Sequence, residues 1–87
     1  LKIMNRKQRI EKILSKKFDD FLLEIIDNSN LHKGHNNFTG NDETHLKIIL
    51  TKKNKIPTNR LNIHRFINNL LEEEFKTGLH SLEININ

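Results

Sequence analysis

The side chains best suited to chemistry in this chain are five histidines, at positions 32, 35, 45, 64 and 80, in a sequence that contains no cysteine. An imidazole can ligate a borderline-soft metal ion or move a proton near neutral pH. The lack of cysteine excludes a disulfide scaffold, a thiol nucleophile and a thiolate metal site made by this chain alone. No pair of these histidines has the H-x-x-x-H or H-E-x-x-H spacing of a helical zinc site. The acids Asp19–Asp20 and Asp42–Glu43 are neighbours in turn-like segments, and no G-x-S-x-G motif occurs. Without a nucleophile, a paired-acid cleft or a metal-ligand pattern, the sequence predicts a protein that is not an enzyme.

A second candidate chemistry is electrostatic. The net charge is +4, which favours anionic partners. The excess is uneven: residues 1–17 carry +6 and residues 18–87 carry −2. Much of the basicity therefore belongs to one helix face exposed to solvent. A separate basic segment holds Lys52, Lys53, Lys55, Arg60 and Arg65. If residues 57–75 fold as a short helix, a turn and a long helix, these five would meet phosphates, and Asn59 or Asn62 would reach base edges. Alanine is absent while Asn, Ile and Lys are abundant. That pattern reflects A/T-rich codons, so exposed Asn carries little weight. No apolar run approaches the ~18 residues of a spanning helix, and no secretory signal pattern occurs. The chain begins at Leu1, not Met, which predicts an upstream segment; residues 1–5 read as a flexible leader.

These residues need elements to hold them. At 87 residues the chain makes one domain with one modest core. Ile10, Ile13, Leu14 and Phe18 recur at helical spacing from about Arg6 to Phe18, and Asp19–Asp20 ends the pattern. Leu22 to Asp27 is short and branched, and reads as a strand closed by Asn28, Ser29 and Asn30. Residues 29–42 form a long polar loop, the kind that is usually functional or disordered. Thr44 to Thr51 alternates, with Leu46, Ile48 and Leu50 on one face and His45, Lys47 and Thr51 on the other. Pro57 suits the first turn of a short helix over 57–62. A longer helix carries Ile63, Phe66, Ile67, Leu70, Leu71 and Phe75, with Glu72, Glu73 and Glu74 placed unfavourably near its C-terminal end. Gly78 ends it. Leu79 to Ile86 reads as a third strand. The order α-β-β-α-α-β predicts an α/β (α+β) domain. Its three-stranded mixed sheet has strand order one-two-three, the last two strands are parallel, and the helices lie on one face.

Two sets of residues resemble BolA family signatures. Asp27-Asn28-Ser29, then His32 and His35, then Glu43-Thr44-His45-Leu46, is similar to the family's strand ending in Ser, His-bearing loop and E-T-H-F strand start. Ile63-His64-Arg65 and Gly78-Leu79-His80-Ser81-Leu82 resemble its R-H-R helix start and G-V-H-A-L strand start. The resemblance runs from about Arg9 to Ile86. It departs at Ile63, Leu46 and Ser81, and over Thr51 to Asn59, where the usual F-x-G-K-S-like turn is not matched.

The resemblance implies a class II KH-like fold. It also implies an adaptor that pairs with a monothiol glutaredoxin and shares a [2Fe–2S] cluster with that protein and glutathione, in iron–sulfur trafficking or iron regulation. By motif position it makes His80 the strand ligand and His32 the loop ligand, with His35 as the alternate. His45 is expected to top its strand, exposed, and His64 to cap or pack its helix. The isolated chain is expected to be a monomer that holds no cluster tightly. The matrix of mitochondria is the implied setting in a eukaryote and the cytoplasm in a bacterium. Bacterial members act as transcriptional regulators, so DNA binding through 57–75 is the alternative. The glycines stand at 34, 40 and 78, so no G-x-x-G loop exists to clamp RNA.

Overall fold

The computed structural model describes residues 4–29 and 44–87. Within them the order is α1 (Arg6–Lys17), β1 (Phe21–Asp27), β2 (His45–Lys52), α2 (Arg60–Leu70), α3 (Glu72–Lys76) and β3 (Ser81–Ile86). His32 and His35 lie outside the described residues.

Asn5, read above as leader, is the N-cap of α1. Its side chain accepts from the Gln8 amide at 2.8 Å, and its own amide donates to Gln8 Oε1 at 3.0 Å. Two amides at the helix start are thereby satisfied together. Ile10 and Leu14 are buried on the inner face of α1. Phe18 closes the helix, its amide donating to the Leu14 carbonyl at 2.8 Å. Its ring then meets Phe21 and Phe66 edge-on, with centroids 5.8 Å apart in each case. This aromatic cluster ties α1 to β1 and α2.

The sheet order is β1-β2-β3, with β1 antiparallel and β3 parallel to the central β2. Leu23 pairs with Leu50 and Ile25 with Ile48 on one side; Ile48 pairs with Ile84 and Leu50 with Ile86 on the other. Alternation along these strands gives one apolar face. It packs with Ile10 and Leu14 of α1 and with Ile67 and Leu71 in a single core, in which Ile48 and Leu50 are fully buried. On the opposite face Leu22 is exposed, and Lys47 pairs loosely with its β3 partner Glu83 at 3.8 Å.

The crossover departs from expectation in two ways. Pro57 starts no helix: residues 55–59 are irregular, and α2 begins at Arg60 after an Asn59 N-cap that accepts from Asn62 at 3.0 Å. The long helix then breaks at Leu71, a fully buried residue with φ −101° and ψ 15°. The break turns the chain so that Leu71 stays in the core and the next turn swings Glu74 inward. Glu72, Glu73 and Glu74 therefore stand both directly after the C-cap of α2 and in the first turn of the five-residue α3.

Glu74 is buried, and it is held there by two arginines of α1. Arg9 grips it with both arms, Nε to Oε2 and Nη2 to Oε1, each at 2.8 Å, and Arg6 Nε donates to Oε1 at 2.9 Å. The Arg9 hydrogen bonds hold this carboxyl below its ordinary value of 4.5; burial opposes them and Arg6 adds to them. A carboxylate whose folded pKa is depressed gives stability that is complete above the ordinary pKa and is lost as pH falls through the folded one. Thermal unfolding followed by circular dichroism should therefore show stability falling below about pH 4.5, with Glu74→Gln removing that component. At neutral pH Glu74→Gln should cost about 2 kcal/mol. That is less than a fully buried pair would lose, because the Arg9 side chain is 39% exposed.

A candidate site at the histidine end of the sheet

Three chain segments meet where β1 ends and where β2 and β3 begin. Because β2 and β3 are parallel, their first residues lie side by side, with His45 registered against Ser81. His80 precedes β3 and does not lie within it. Its amide donates to the Thr44 carbonyl at 2.8 Å, and the Ser81 amide donates to the same oxygen at 3.1 Å. One carbonyl at the entrance to β2 thus locates the residue before β3. The result is a pair of imidazoles, His45 and His80, with ring centroids 6.2 Å apart and planes tilted by 50°. His80 is exposed and His45 half-buried.

Ser29 builds the floor of this end. It is 1% exposed, and a buried hydroxyl needs partners. Its oxygen accepts from the Thr44 amide at 2.9 Å and the His45 amide at 3.3 Å, while its own amide donates to Asp27 Oδ1 at 2.9 Å. The Asn28 amide adds a bond to the His45 carbonyl at 2.8 Å. These contacts clasp the two ends of the segment 30–43 beside the imidazole pair. The Thr44 hydroxyl lies 3.0 Å from His45 Nδ1. A hydrogen bond at Nδ1 fixes the orientation of the ring and, through the tautomer, which nitrogen carries the proton.

Among the described residues, no three His, Asp or Glu side chains come together as a metal site. The pair can supply two neutral imidazoles to one ion, which would take its other ligands from elsewhere. His64 sits on α2, half-buried, where its carbonyl accepts from Asn68 Nδ2 at 2.8 Å. The partnership of His45 with His80 was not legible from spacing alone. A period of two placed His45 opposite Leu46, but strand register was needed to set it beside His80.

The basic segment forms a looser feature. Lys53, Lys55, Arg60 and Arg65 are exposed, while Lys52 is half-buried and reaches Thr58 Oγ1 at 3.5 Å. The helix-turn-helix expected over 57–75 is not formed as drawn. The longer helix comes first, a five-residue helix follows, and the Asn59 oxygen is committed to capping and not free to read a base.

Residues 14–87 match the family described as BolA-like protein. The chain is 38% identical over 84 residues to chloroplastic BOLA1 of Arabidopsis thaliana, covering 94% of this chain and 52% of that protein, so it spans about half the length of that relative. It is 33% identical over 78 residues to the DNA-binding transcriptional regulator BolA of Escherichia coli, covering 90% of this chain and 70% of that protein. The solved BolA domain of SufE1 from Arabidopsis thaliana superposes with a TM-score of 0.75 at 31% identity, covering 99% of this chain and 94% of that one. A match over most of the chain, joined to this agreement in sequence and fold, makes the protein a member of the BolA-like family.

Proposed function

We propose that this domain is a non-enzymatic adaptor that pairs with a monothiol glutaredoxin and completes a [2Fe–2S] cluster from its histidine end. The observation that carries this reading is the His45–His80 pair, set 6.2 Å apart at the end of the sheet where the segment holding His32 and His35 is anchored. The donor set suits the chemistry. Imidazoles in place of two thiolates on one iron raise the reduction potential of such a cluster and reduce its negative charge. A chain with no cysteine can contribute ligation of that kind, with thiolates from the glutaredoxin and glutathione completing the set.

In this reading His80 is the fixed ligand, since its backbone is tied to Thr44. The second imidazole comes from His32, with His35 as the alternate, or from His45, whose ring is oriented by the Thr44 hydroxyl at Nδ1. Ser29 joins the end of β1 to the start of β2 through the Thr44 and His45 amides. Anaerobic co-purification with a monothiol glutaredoxin, read by visible absorbance and circular dichroism, tests the pairing. His80→Ala should abolish the histidine-type spectrum while apo association survives through packing contacts. His32→Ala should loosen the cluster with partial rescue by His35, and His45→Ala measures the share of the strand imidazole. An unchanged spectrum and cluster lifetime in His80→Ala would sink the ligand assignment; a wild type that never associates would sink the function.

A second reading, DNA binding, draws on the Escherichia coli relative's name and on the exposed Lys53, Lys55, Arg60 and Arg65. Phosphate contacts by these side chains would make binding salt-dependent. On this reading Lys53→Glu with Arg65→Glu weakens duplex binding and flattens its salt dependence. An absence of salt-dependent binding by the wild type at physiological ionic strength removes it.

A further inference from the structure

The two arginines of the ion triad Arg6, Arg9 and Glu74 are not equivalent. Arg9 already takes both carboxylate oxygens of Glu74, and this alone joins α1 to α3. Arg6 shares one of those oxygens and spends its other arm elsewhere. Its Nη2 donates to the Thr77 carbonyl at 2.9 Å and approaches the Thr77 hydroxyl at 3.4 Å. Its guanidinium also lies over Gly78, so closely that a Cβ there would stand 3.1 Å from Nη2 and 3.3 Å from Nη1. Gly78 itself has φ +134°, a conformation that side-chain-bearing residues avoid. Two residues later comes His80.

We propose that Arg6 is a positioning residue for His80, its guanidinium fixing the turn between α3 and β3 that sets this imidazole beside His45. The chain of constraint is short. Arg6 holds Thr77 and covers Gly78. The buried Leu79 donates its amide to the Glu74 carbonyl at 2.9 Å, and His80 donates to Thr44 at 2.8 Å. Every residue from 77 to 80 is thus held by a named contact; Thr77 also donates its amide and hydroxyl to the Glu73 carbonyl, at 3.1 and 2.9 Å, and Arg6 adds the contact from α1 to Thr77 and Gly78. The Arg6 side chain is only 11% exposed, so water competes poorly for its donors. A guanidinium suits the task because its planar fork donates to both Glu74 and Thr77 while its Nη edge stands against Gly78; an ammonium would keep the charge and lose the fork. The significance of the device for cluster ligation rests on the proposed function, but the positioning itself is a property of the isolated chain.

The test is amide hydrogen exchange and ring-to-ring nuclear Overhauser effects on the full chain alone, with no glutaredoxin and no metal. Failure of the glutaredoxin reading therefore leaves this test standing, and the converse holds too. In Arg6→Lys the ion pair with Glu74 is retained, and the His80 amide should exchange at least about 10-fold faster while Ile48 in the central strand stays within about 3-fold of wild type. The effect between the His45 and His80 rings should weaken or vanish. Gly78→Ala, which pushes a Cβ into the guanidinium from the other side, should give the same local signature with α1 and Glu74 intact. Arg9→Ala serves as the contrast, with Ile48 and His80 speeding up together. The proposal is overturned if Arg6→Lys keeps wild-type exchange at His80 and the ring contact. It is overturned equally if its exchange rises by the same factor at Ile48 and His80.

Discussion

The central strand β2 is hydrogen-bonded along both edges, antiparallel to β1 and parallel to β3, and most of the remaining architecture follows from that mixed pairing. A parallel neighbour cannot be reached by a tight turn, so the chain must cross over, and α2 and α3 are that crossover. The helices must bury their apolar stripes, and the one apolar face of the sheet receives them together with α1. Parallel pairing also brings the starts of β2 and β3 to the same end, which places His45 and His80 together. An antiparallel β3 would have set its start at the opposite end of β2 and separated the two rings.

A domain of this size has little apolar surface to spare, and its polar contacts are concentrated where the chain changes direction. Ser29 joins the end of β1 to the start of β2, and the Thr44 carbonyl joins the start of β2 to the residues before β3. Glu74 joins α3 to α1. None of the buried side-chain nitrogens or oxygens among the described residues lacks a partner. Each of these polar groups is local in effect but non-local in sequence: Ser29 reaches 15 residues ahead and Glu74 reaches back 65 to Arg9. Such bonds add modest net stability. Their larger effect is to select one geometry for the histidine end, because losing a partner would strand a buried polar atom.

The fold was largely legible in the residue pattern. Period-two alternation at Leu46, Ile48 and Leu50 and helical spacing at Ile10, Leu14 and Phe18 each named the buried face correctly, since burial of apolar surface drives both patterns. The same reasoning failed at Leu71. The stripe from Ile63 to Phe75 is continuous at helical spacing, and nothing local marks a break. The break accompanies the contacts of Glu74 with two arginines of α1, a partnership invisible in a window of neighbours. Pro57 misled for a related reason: it is compatible with a helix start, but Asn59 is the better cap and the helix waits for it.

The sequence by itself determined the element order, the apolar faces, the family and the chemistry on offer, namely imidazole without thiolate, because each of these is encoded by residue type and short-range period. Only the tertiary structure decided which histidines meet. His45 and His80 stand 35 positions apart in the chain, and their proximity depends on strand register and on the sense of β3. It depends also on a turn held by Arg6 and Gly78, where a side chain from the first helix lies on a glycine before the last strand. Contacts of that kind are set when elements pack against one another, and no periodicity within a single element carries a record of them.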